Sequence, residues 1–555
     1  MSSQNPLFPL SDVTLPAHET PSKEALAYTP TPPEDTSEQV TTARSFWRDR
    51  CFEGGLILSM VLYYIVGNAN FHLGALSAVN PLFSLPLLLV FAVLCWYRLP
   101  FALALLPLSL PYYLSGSQKV VMGHAAFSLA EITLWTCLVV AVLQLVLKRS
   151  ERPYWLSWSV WRDRLGPFGL PILVFLIFAA ISILVAYRQD TALRAFREEV
   201  LDPLLYLGLA LIYLRSRQDV LRLLVGLLGT GLVIALLGIG QALFFKNTLV
   251  LEQDGIYRVH AVYGSANSIG LLLDYVLPLA LAFVMARVSW RSRLIGLILC
   301  VPLVVVLYLT QSHGAELALG ASLLFVAALS VRNRKVLLIG GIVLALVGAF
   351  ALVTFNAKIF DYFEGHVNQR NVSTTSKRFY LWQSALNMIH DSPWLGYGMD
   401  NWLCHYSKND LCKNTLHHYW ITNDGPAHSS SDWTGLSDEP TLSHPHNVFL
   451  HVWVSIGVFG MLAFAVTLIL FFWLFACILR YLRAHRIRDG EQWRWMVVGV
   501  GAAMVAAMVQ GLGDSAFLEQ DLAFCFWTLV AALLLLRMLI GVPWLSTQEI
   551  RGESG

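Results

Sequence analysis

The sequence predicts an all-α polytopic membrane protein with 12–14 transmembrane helices and one large extramembrane loop within the last third of the spans. Of its 555 residues, 56% are hydrophobic and only 13% are charged, whereas soluble domains carry about 25% charged residues. The apolar residues are grouped into long runs separated by short charged breaks, a pattern typical of helices that cross a bilayer. This composition excludes an ordinary soluble enzyme, and the net charge of +2 gives no indication of a nucleic-acid partner.

The chain divides into a polar tail and a membrane domain. Because residues 1–45 are polar and proline-rich without an apolar segment, residues 1–50 are predicted to be a disordered tail and not a signal peptide. Residues 51–555 form the predicted transmembrane helical domain. Its apolar runs start near residues 51, 82, 99, 126, 168, 200, 223, 265, 294, 314, 336, 446, 495 and 521. The short runs at 82 and 99 meet at Arg98-Leu99-Pro100, so they form either two spans or one re-entrant pair.

Alternate breaks between the runs are basic, and this pattern orients the predicted bundle. Cytoplasmic loops accumulate lysine and arginine, so the basic breaks place both termini in the cytoplasm. These breaks are 148–164, 215–222, 287–293, 332–335 and 480–494. On the outer side, basic residues are scarce except in 188–197 and in the long loop 357–443. Basic residues at these two places oppose the charge bias and are candidates for binding.

The loop 357–443 is predicted to be folded, because it contains five tryptophans and disordered segments are poor in aromatic residues. Residues 376–389 predict an amphipathic helix that lies along the outer membrane surface. The predicted apolar face of this helix consists of Phe379, Trp382, Leu386 and Ile389. The helix is expected to end at Asp391-Ser392-Pro393, before a turn at Gly396-Tyr397-Gly398.

Two polar motifs precede apolar runs on the outer side. The first is His444-Pro445-His446-Asn447, which continues as His446-Asn447-x9-Gly457-x-x-Gly460. A histidine at the water–membrane boundary can accept a proton, and the glycines allow close helix packing. The second motif is Arg258 with Gly264 and Asn267. Arginine is the preferred planar partner of phosphate oxygens, so both a proton acceptor and an anion-binding group are predicted on one side.

These residues resemble the O-antigen ligase and polymerase superfamily, whose members transfer glycans from undecaprenyl-diphosphate carriers. The resemblance covers roughly residues 190–535. It rests on the motifs Arg258…Gly264…Asn267, Arg378-x3-Trp382…Pro393-x-x-Gly396-x-Gly398 and the ligase-type His446-Asn447-x9-Gly457-x-x-Gly460.

The resemblance implies an inverting, metal-independent transfer at the periplasmic face of a bacterial inner membrane, with no cofactor. A hydroxyl of a glycan, lipid A-core or other acceptor attacks the anomeric carbon, and the lipid diphosphate leaves. The reaction needs a general base and cationic groups that stabilise the leaving diphosphate. His446 is the candidate base, and Arg258 and Arg378 are the candidate diphosphate-binding groups.

Further residues of the same motifs and breaks are predicted to contact substrate. They are His444, Asn447, Arg194, Arg197, Asn267 and Trp382. For Arg194 and Arg197 the competing interpretation is ion pairing with the adjacent Glu198 and Glu199.

Acidic and cysteine residues outside these motifs receive structural interpretations. Glu131, Asp274 and Glu316 lie in apolar runs and are predicted to pair with inward-facing arginines. Cys404 and Cys412 lie close together in the loop 357–443, and a disulfide between them is predicted because the periplasm is oxidising.

Three functions remain open on the sequence alone. The histidine motif favours a ligase that joins a completed polysaccharide to an acceptor. A polymerase of the same superfamily would use the same donor chemistry. A polysaccharide or small-anion transporter would show inverted repeats and a midplane site, and the sequence has no matched halves.

Overall fold

The computed structural model describes residues 43–67, 85–112, 120–122, 125–147, 157–251, 257–286, 289–330, 374–406, 419, 421–422, 425–426, 443–485, 487 and 489–544. Ten of the described helices are long and apolar enough to cross a membrane. The predicted all-α polytopic membrane fold is therefore confirmed. Most of the predicted tail and the apolar run at 336 lie outside the described residues.

The first half of the chain forms eight helices and two short hairpins, interspersed with 3₁₀ and π-helical turns. The helices are α1 (Ala43–Gly67), α2 (Leu85–Leu105), α3 (Leu129–Leu147), α4 (Trp158–Leu165), α5 (Gly169–Val185), α6 (Gln189–Ala195), α7 (Asp202–Tyr213) and α8 (Arg217–Phe244). The 3₁₀ turns are Leu106–Tyr112, Gly166–Phe168 and Lys246–Thr248, and the π-helical turn is Phe196–Leu201. The antiparallel hairpins pair β1 (Val120–Met122) with β2 (Ala125–Phe127), and β3 (Val250–Leu251) with β4 (Tyr257–Arg258).

The second half contains the remaining long helices and the described parts of the large loop. Its helices are α9 (Ala266–Met285), α10 (Trp290–Thr310), α11 (His313–Ser330), α12 (Thr374–Asp391), α13 (Trp402–Tyr406), α14 (Val448–Ile456), α15 (Val458–Ala484), α16 (Gly490–Gly511) and α17 (Gln520–Ile540). A third hairpin pairs β5 (Ile421–Thr422) with β6 (Gly425–Pro426).

The apolar runs at 82 and 99 form one interrupted segment, α2. Its backbone breaks at Arg98, whose φ of −141° and ψ of 53° are not helical, and Pro100 follows, which cannot donate a helical hydrogen bond. The predicted junction at Arg98-Leu99-Pro100 therefore coincides with this break. The run at 200 forms the shorter helix α7 after a π-helical turn. Within the described residues the spans thus number ten, fewer than the predicted 12–14.

Helix α1 begins inside the segment that the sequence assigned to the tail. It starts at Ala43, eight residues before the predicted start of the membrane domain near residue 51. The predicted boundary between tail and membrane domain therefore falls inside a helix.

Helix α17 is the centre of the membrane domain. Every residue from Gln520 to Arg537 is buried, and the helix packs against α7, α8, α9, α15 and α16. A helix that is apolar on all sides is expected at the centre of a bundle. Its first turn therefore presents Gln520 and Asp521 to the interior at one end of the bundle.

The predicted amphipathic helix of the loop is present as α12 and ends at Asp391, as expected. Its predicted apolar face packs against protein only in part. Phe379 and Leu386 are 58% and 53% exposed, and the buried side chains are Leu381, Ala385, Met388 and Ile389. The helix has apolar residues on two faces, and α14 covers the second one.

The turn after α12 is locked onto the junction of α14 and α15. The amides of Tyr397 and Gly398 donate to the carbonyls of Val454 and Ser455 at 2.7 and 3.1 Å. In return, the amide of Val458 donates to the Pro393 carbonyl at 3.0 Å. The motif glycines of the loop and of α14 therefore belong to one interlocked joint.

Two glycines make this joint possible. Gly396 and Gly457 have φ of +68° and +85°, a backbone conformation that residues with a side chain rarely adopt. A Cβ atom on Gly396 would collide with the carbonyl oxygen of Val454, and one on Gly457 would collide with that of Trp394. The spacing of these glycines thus reflects backbone-to-backbone contact more than helix packing.

The cysteine prediction is met in part. Cys404 is disulfide-bonded, whereas the six free cysteines of the described residues lie elsewhere. Its predicted partner Cys412 lies outside the described residues, so the pairing of the two stays a prediction.

Candidate active site

The histidine motif lies in the turn before α14, and its backbone is held by neighbours on all sides. The amide of His446 donates to Nδ1 of His444 at 3.3 Å, and its carbonyl accepts from Nε1 of Trp382 at 3.1 Å. His446 has a φ of +50°, which is uncommon for a residue other than glycine. Such conformations cluster at functional sites, where surrounding contacts enforce them.

The imidazole of His446 forms a hydrogen bond with a carboxylate from another part of the chain. Its Nδ1 lies 2.7 Å from Oδ1 of Asp514, a residue of the short segment between α16 and α17. Burial raises the pKa of Asp514, but the charge and hydrogen bond of His446 outweigh this effect and leave the pKa below its ordinary value. Asp514 is therefore ionised at neutral pH and accepts the Nδ1 proton of His446.

The hydrogen bonds decide which histidine can act as a base. With Nδ1 protonated toward Asp514, the neutral His446 ring has its lone pair on Nε2. His444 accepts an amide hydrogen through Nδ1, so its proton sits on Nε2, which lies 3.8 Å from Oε1 of Glu519. Neutral His444 therefore has no lone pair left for a substrate proton, whereas His446 has one.

A third histidine, His451, extends the cluster along α14. Its Nδ1 lies 2.6 Å from Oγ of Ser515, and its ring stacks on that of His444 with centroids 5.5 Å apart. Burial and the neighbouring His446 lower the pKa of His451 to about 3 and that of His444 well below its ordinary value. Both rings are therefore neutral at pH 7.

This depressed pKa predicts that His451 contributes to acid sensitivity. Between the ordinary value of 6.5 and about 3, the unfolded chain binds a proton that the folded chain does not, so stability is lost as the pH falls through this window. In detergent, the melting temperature of His451→Asn should fall less between pH 7 and pH 4.5 than that of the wild type. The exposed His485→Asn serves as a control, and an unchanged slope in His451→Asn would contradict the prediction.

Arg378 and Trp382 of α12 lie beside the histidine motif. Nη1 of Arg378 lies beside Gly513, 3.2 Å from where a Cβ would stand, and its charge acts on both His444 and Asp514. Because Trp382 holds the His446 carbonyl, the loop helix supplies both a cation and a positioning contact. Structure and sequence agree that this motif adjoins the histidines.

Asn447 has a structural task in this arrangement. Its Oδ1 accepts from the amides of Phe449 and Leu450 at 3.0 and 3.1 Å and so caps α14. Its Nδ2 donates to the carbonyl of Leu512 at 3.0 Å. The residue predicted to contact substrate therefore connects the histidine turn to the segment that carries Asp514.

A cavity of about 270 Å³ adjoins His444 and His451. Among the predicted residues, His444 and Arg194 line it, and of the second motif only Gly264 is among its described lining residues. Arg258 and Asn267 are not among its described lining residues. Arg258 lies half-buried on β4 opposite Val250, and Asn267 lies in the first turn of α9. The structure therefore places Arg378 beside the histidine cluster.

All three arginines of the 188–197 break form ion pairs, and Arg188 pairs with the neighbouring Asp190. Arg194 donates to Asp400 at 3.0 Å, and Arg197 contacts Glu131 at 2.8 Å and Glu198 at 3.1 Å. The predicted pairing of Glu131 with an arginine is thus confirmed. Glu316 contacts His313 at 3.2 Å, not an arginine as predicted. No ion pair of Asp274 occurs within the described part of the chain.

Several residues of the site escaped the sequence analysis. No role was predicted for Asp514, Glu519, His451 or Ser515. His451 lies seven residues after His444, a helical spacing that could have linked the two. Asp514 lies 68 residues from His446, and no local pattern connects them.

His444, His446 and Asp514 could also be considered as metal ligands, since their donor atoms lie within 4.8 Å of one another. The 2.7 Å between His446 Nδ1 and Asp514 Oδ1 is shorter than the roughly 3.3 Å that separates two ligand atoms of a tetrahedral zinc ion. The pair therefore fits a shared proton better than a shared ion.

Comparison with known proteins agrees with this geometry. A family model described as O-antigen ligase matches residues 298–465, which include the histidine turn, the glycine joint and the whole loop 357–443. No curated protein matches the chain. The match is narrower than the expected 190–535 and leaves out Arg258 and Asp514. The chain is a multi-pass membrane protein whose residues 298–465 match the O-antigen ligase family, and this match supports the predicted resemblance to the O-antigen ligase and polymerase superfamily.

Proposed function

We propose that this protein transfers a glycan from an undecaprenyl-diphosphate carrier to an acceptor hydroxyl at the periplasmic face of a bacterial inner membrane. The family match supports ligase- or polymerase-type glycosyl transfer in general. The observation that carries the mechanism is the 2.7 Å hydrogen bond from His446 to Asp514, because it leaves Nε2 of His446 as a proton acceptor.

The reaction is a displacement at the anomeric carbon. The acceptor oxygen forms a bond to this carbon while the bond to the diphosphate oxygen breaks, and the leaving diphosphate takes the electron pair. The hydroxyl proton passes to Nε2 of His446, and the resulting imidazolium is stabilised by Asp514 at Nδ1. This single displacement inverts the anomeric configuration and needs no metal.

The leaving diphosphate requires positive charge. Arg378 is the arginine that the structure places beside the histidines, at Gly513, so we assign it to the diphosphate. Arg258 remains a second candidate for binding the diphosphate. In that arrangement the lipid portion of the donor would lie along α9. Arg194 and Arg197 are in ion pairs and would shape the entrance.

The ligase is preferred over the polymerase because of its histidine motif, and both use the chemistry above. The transporter is disfavoured, since the polar cluster lies at helix ends: His446 precedes α14, and Asp514 lies between α16 and α17. A transporter is expected to bind its substrate near the midplane.

The test is transfer by the purified protein. We expect that incubation with an undecaprenyl-diphosphate-linked glycan and lipid A-core yields a product of slower gel mobility, and that Arg378→Ala loses most of it. The exposed Arg291→Ala is the matched control. Polymer growth without added acceptor would identify a polymerase. The proposal would be refuted if correctly folded wild-type protein transferred glycan to no acceptor.

Asp514 is a positioning residue, and Asp514→Asn should lower the transfer rate by roughly a hundredfold. The amide offers an N–H where His446 needs an acceptor, so the lone pair of His446 turns away from the substrate. The measurement is kcat with the KM for donor. A change in KM alone, with kcat preserved, would mean that Asp514 does not orient the base.

A further inference from the structure

Five of the sixteen described residues that line the cavity beside His444 are acidic. Carboxylates from three parts of the chain face it, namely Glu198, Glu199, Asp400, Glu519 and Asp521. Arg194 is the only lysine or arginine among its described lining residues, and it is bonded to Asp400. Because Arg194 is already paired, the described lining offers no further cation to the diphosphate of the donor, so the cavity is not a second diphosphate site.

Gln520 is the residue that points to a ligand. It lines the cavity and is only 4% exposed, yet neither its Nε2 nor its Oε1 has a hydrogen-bond partner among the described residues. A buried amide without partners costs free energy, and such exceptions call for an explanation. An amide at the wall of a cavity, with donor and acceptor both available, is suited to an uncharged polar ligand.

The carboxylates fit the same kind of ligand. Glu198 and Asp521 are engaged by Arg197 and Tyr263 at 3.1 and 2.7 Å, which leaves Glu199 and Glu519 to face the cavity. Burial and neighbouring carboxylates raise the pKa of both groups well above the ordinary value. As neutral acids they donate as well as accept hydrogen bonds, as the hydroxyls of a sugar require.

We propose that this cavity binds one uncharged, hydroxyl-rich sugar ring of the acceptor, held by the Gln520 amide and by Glu199 and Glu519. The inference rests on the proposed function, because transfer to a glycan acceptor requires a site that holds a sugar of this acceptor near the base. The volume of about 270 Å³ is near the lower limit of ligand pockets and suits a single ring. The centroids of His444 and His446 are 4.5 Å apart, so the ring lies one imidazole away from the base. A sugar bearing a carboxylate or a phosphate is disfavoured, because the one arginine of the described lining is paired with Asp400 and does not balance the added charge.

Binding can be measured without turnover. Purified protein in nanodiscs is examined by saturation-transfer NMR with the methyl glycosides of glucose, galactose and N-acetylglucosamine, and with the methyl glycosides of glucuronic and galacturonic acid. We expect at least one neutral glycoside to bind, and the uronides to bind at least about fivefold more weakly than their neutral counterparts, a loss equivalent to about one hydrogen bond.

Gln520→Leu separates ligand binding from folding. Leucine keeps the approximate volume and removes the partnerless amide, so the melting temperature should not fall, whereas glycoside binding should weaken at least about fivefold. Gln189→Ala, exposed and outside the cavity lining, should bind as the wild type does. A structural role of Gln520 would instead lower the melting temperature and leave binding unchanged.

The inference is overturned if no neutral glycoside binds, if uronides bind equally well, or if Gln520→Leu binds normally. Transfer assays distinguish this failure from that of the proposed function. Protein that transfers glycan but binds uronides as well as neutral glycosides refutes the inference alone. Protein that binds neutral glycosides selectively but transfers nothing refutes the proposed function alone.

Discussion

Replacement of His446 by alanine should reduce glycan transfer at least about a hundredfold, the typical contribution of a general base. The loss should appear in kcat, because the proton of the acceptor hydroxyl is removed in the transition state. Donor binding should be preserved, since Arg378 reaches the site from α12 and not through this side chain. The measurement is the rate of transfer from an undecaprenyl-diphosphate-linked glycan at saturating donor.

Two variants control this experiment. His485→Ala changes an exposed histidine at the end of α15 and should transfer at the wild-type rate. His444→Gln removes an imidazole that has no lone pair to offer, so it should retain more activity than His446→Ala. If the loss in His444→Gln is the larger one, the assignment of the base to His446 is wrong.

Gly457→Ala should destabilise the protein by about 2–6 kcal/mol. Backbone at φ +85° and ψ 179° is almost restricted to glycine, which costs alanine about 1–3 kcal/mol. The Cβ would also collide with the Trp394 carbonyl, and overpacking of this kind costs about 1–3 kcal/mol. The melting temperature in detergent measures the loss, and the joint between the loop and α14 should open first.

Gly320→Ala is the matched control for this substitution. No atom lies within 4 Å of a Cβ built on Gly320, and the residue is inside α11, where alanine favours the helix. Its melting temperature should stay the same or rise. Equal melting temperatures for Gly457→Ala and the wild type would show that the joint does not depend on this glycine.

The motifs could be predicted from the sequence, but the contacts between them could not. The histidine turn, the end of α12 and the break at Arg98 follow from local rules on turns, proline and apolar runs, and the structure agrees with them. Asp514, the hydrogen-bond partner of His446, lies in a different inter-helix segment. No periodic pattern in the sequence links two residues so far apart. The sequence therefore indicated the proton acceptor and missed the carboxylate that fixes its tautomer.

The face of α12 shows a second limit. Phe379 and Leu386 belong to an apolar stripe as regular as that of Leu381 and Met388, and amphipathic spacing cannot tell which stripe meets protein. The glycines had a further meaning that composition did not reveal. They were interpreted as sites of close helix packing, whereas Gly457 permits a contact between two backbones.

The backbone conformation of His446 limits which residues this position accepts without strain. A left-handed φ of +50° is tolerated by glycine more readily than by a residue with a side chain, so the proposed catalytic side chain opposes the local preference of its own position. Selection for thermal stability alone would favour another residue at this position, whereas selection for transfer activity would retain histidine. The position is thus a point of direct trade-off between durability and activity.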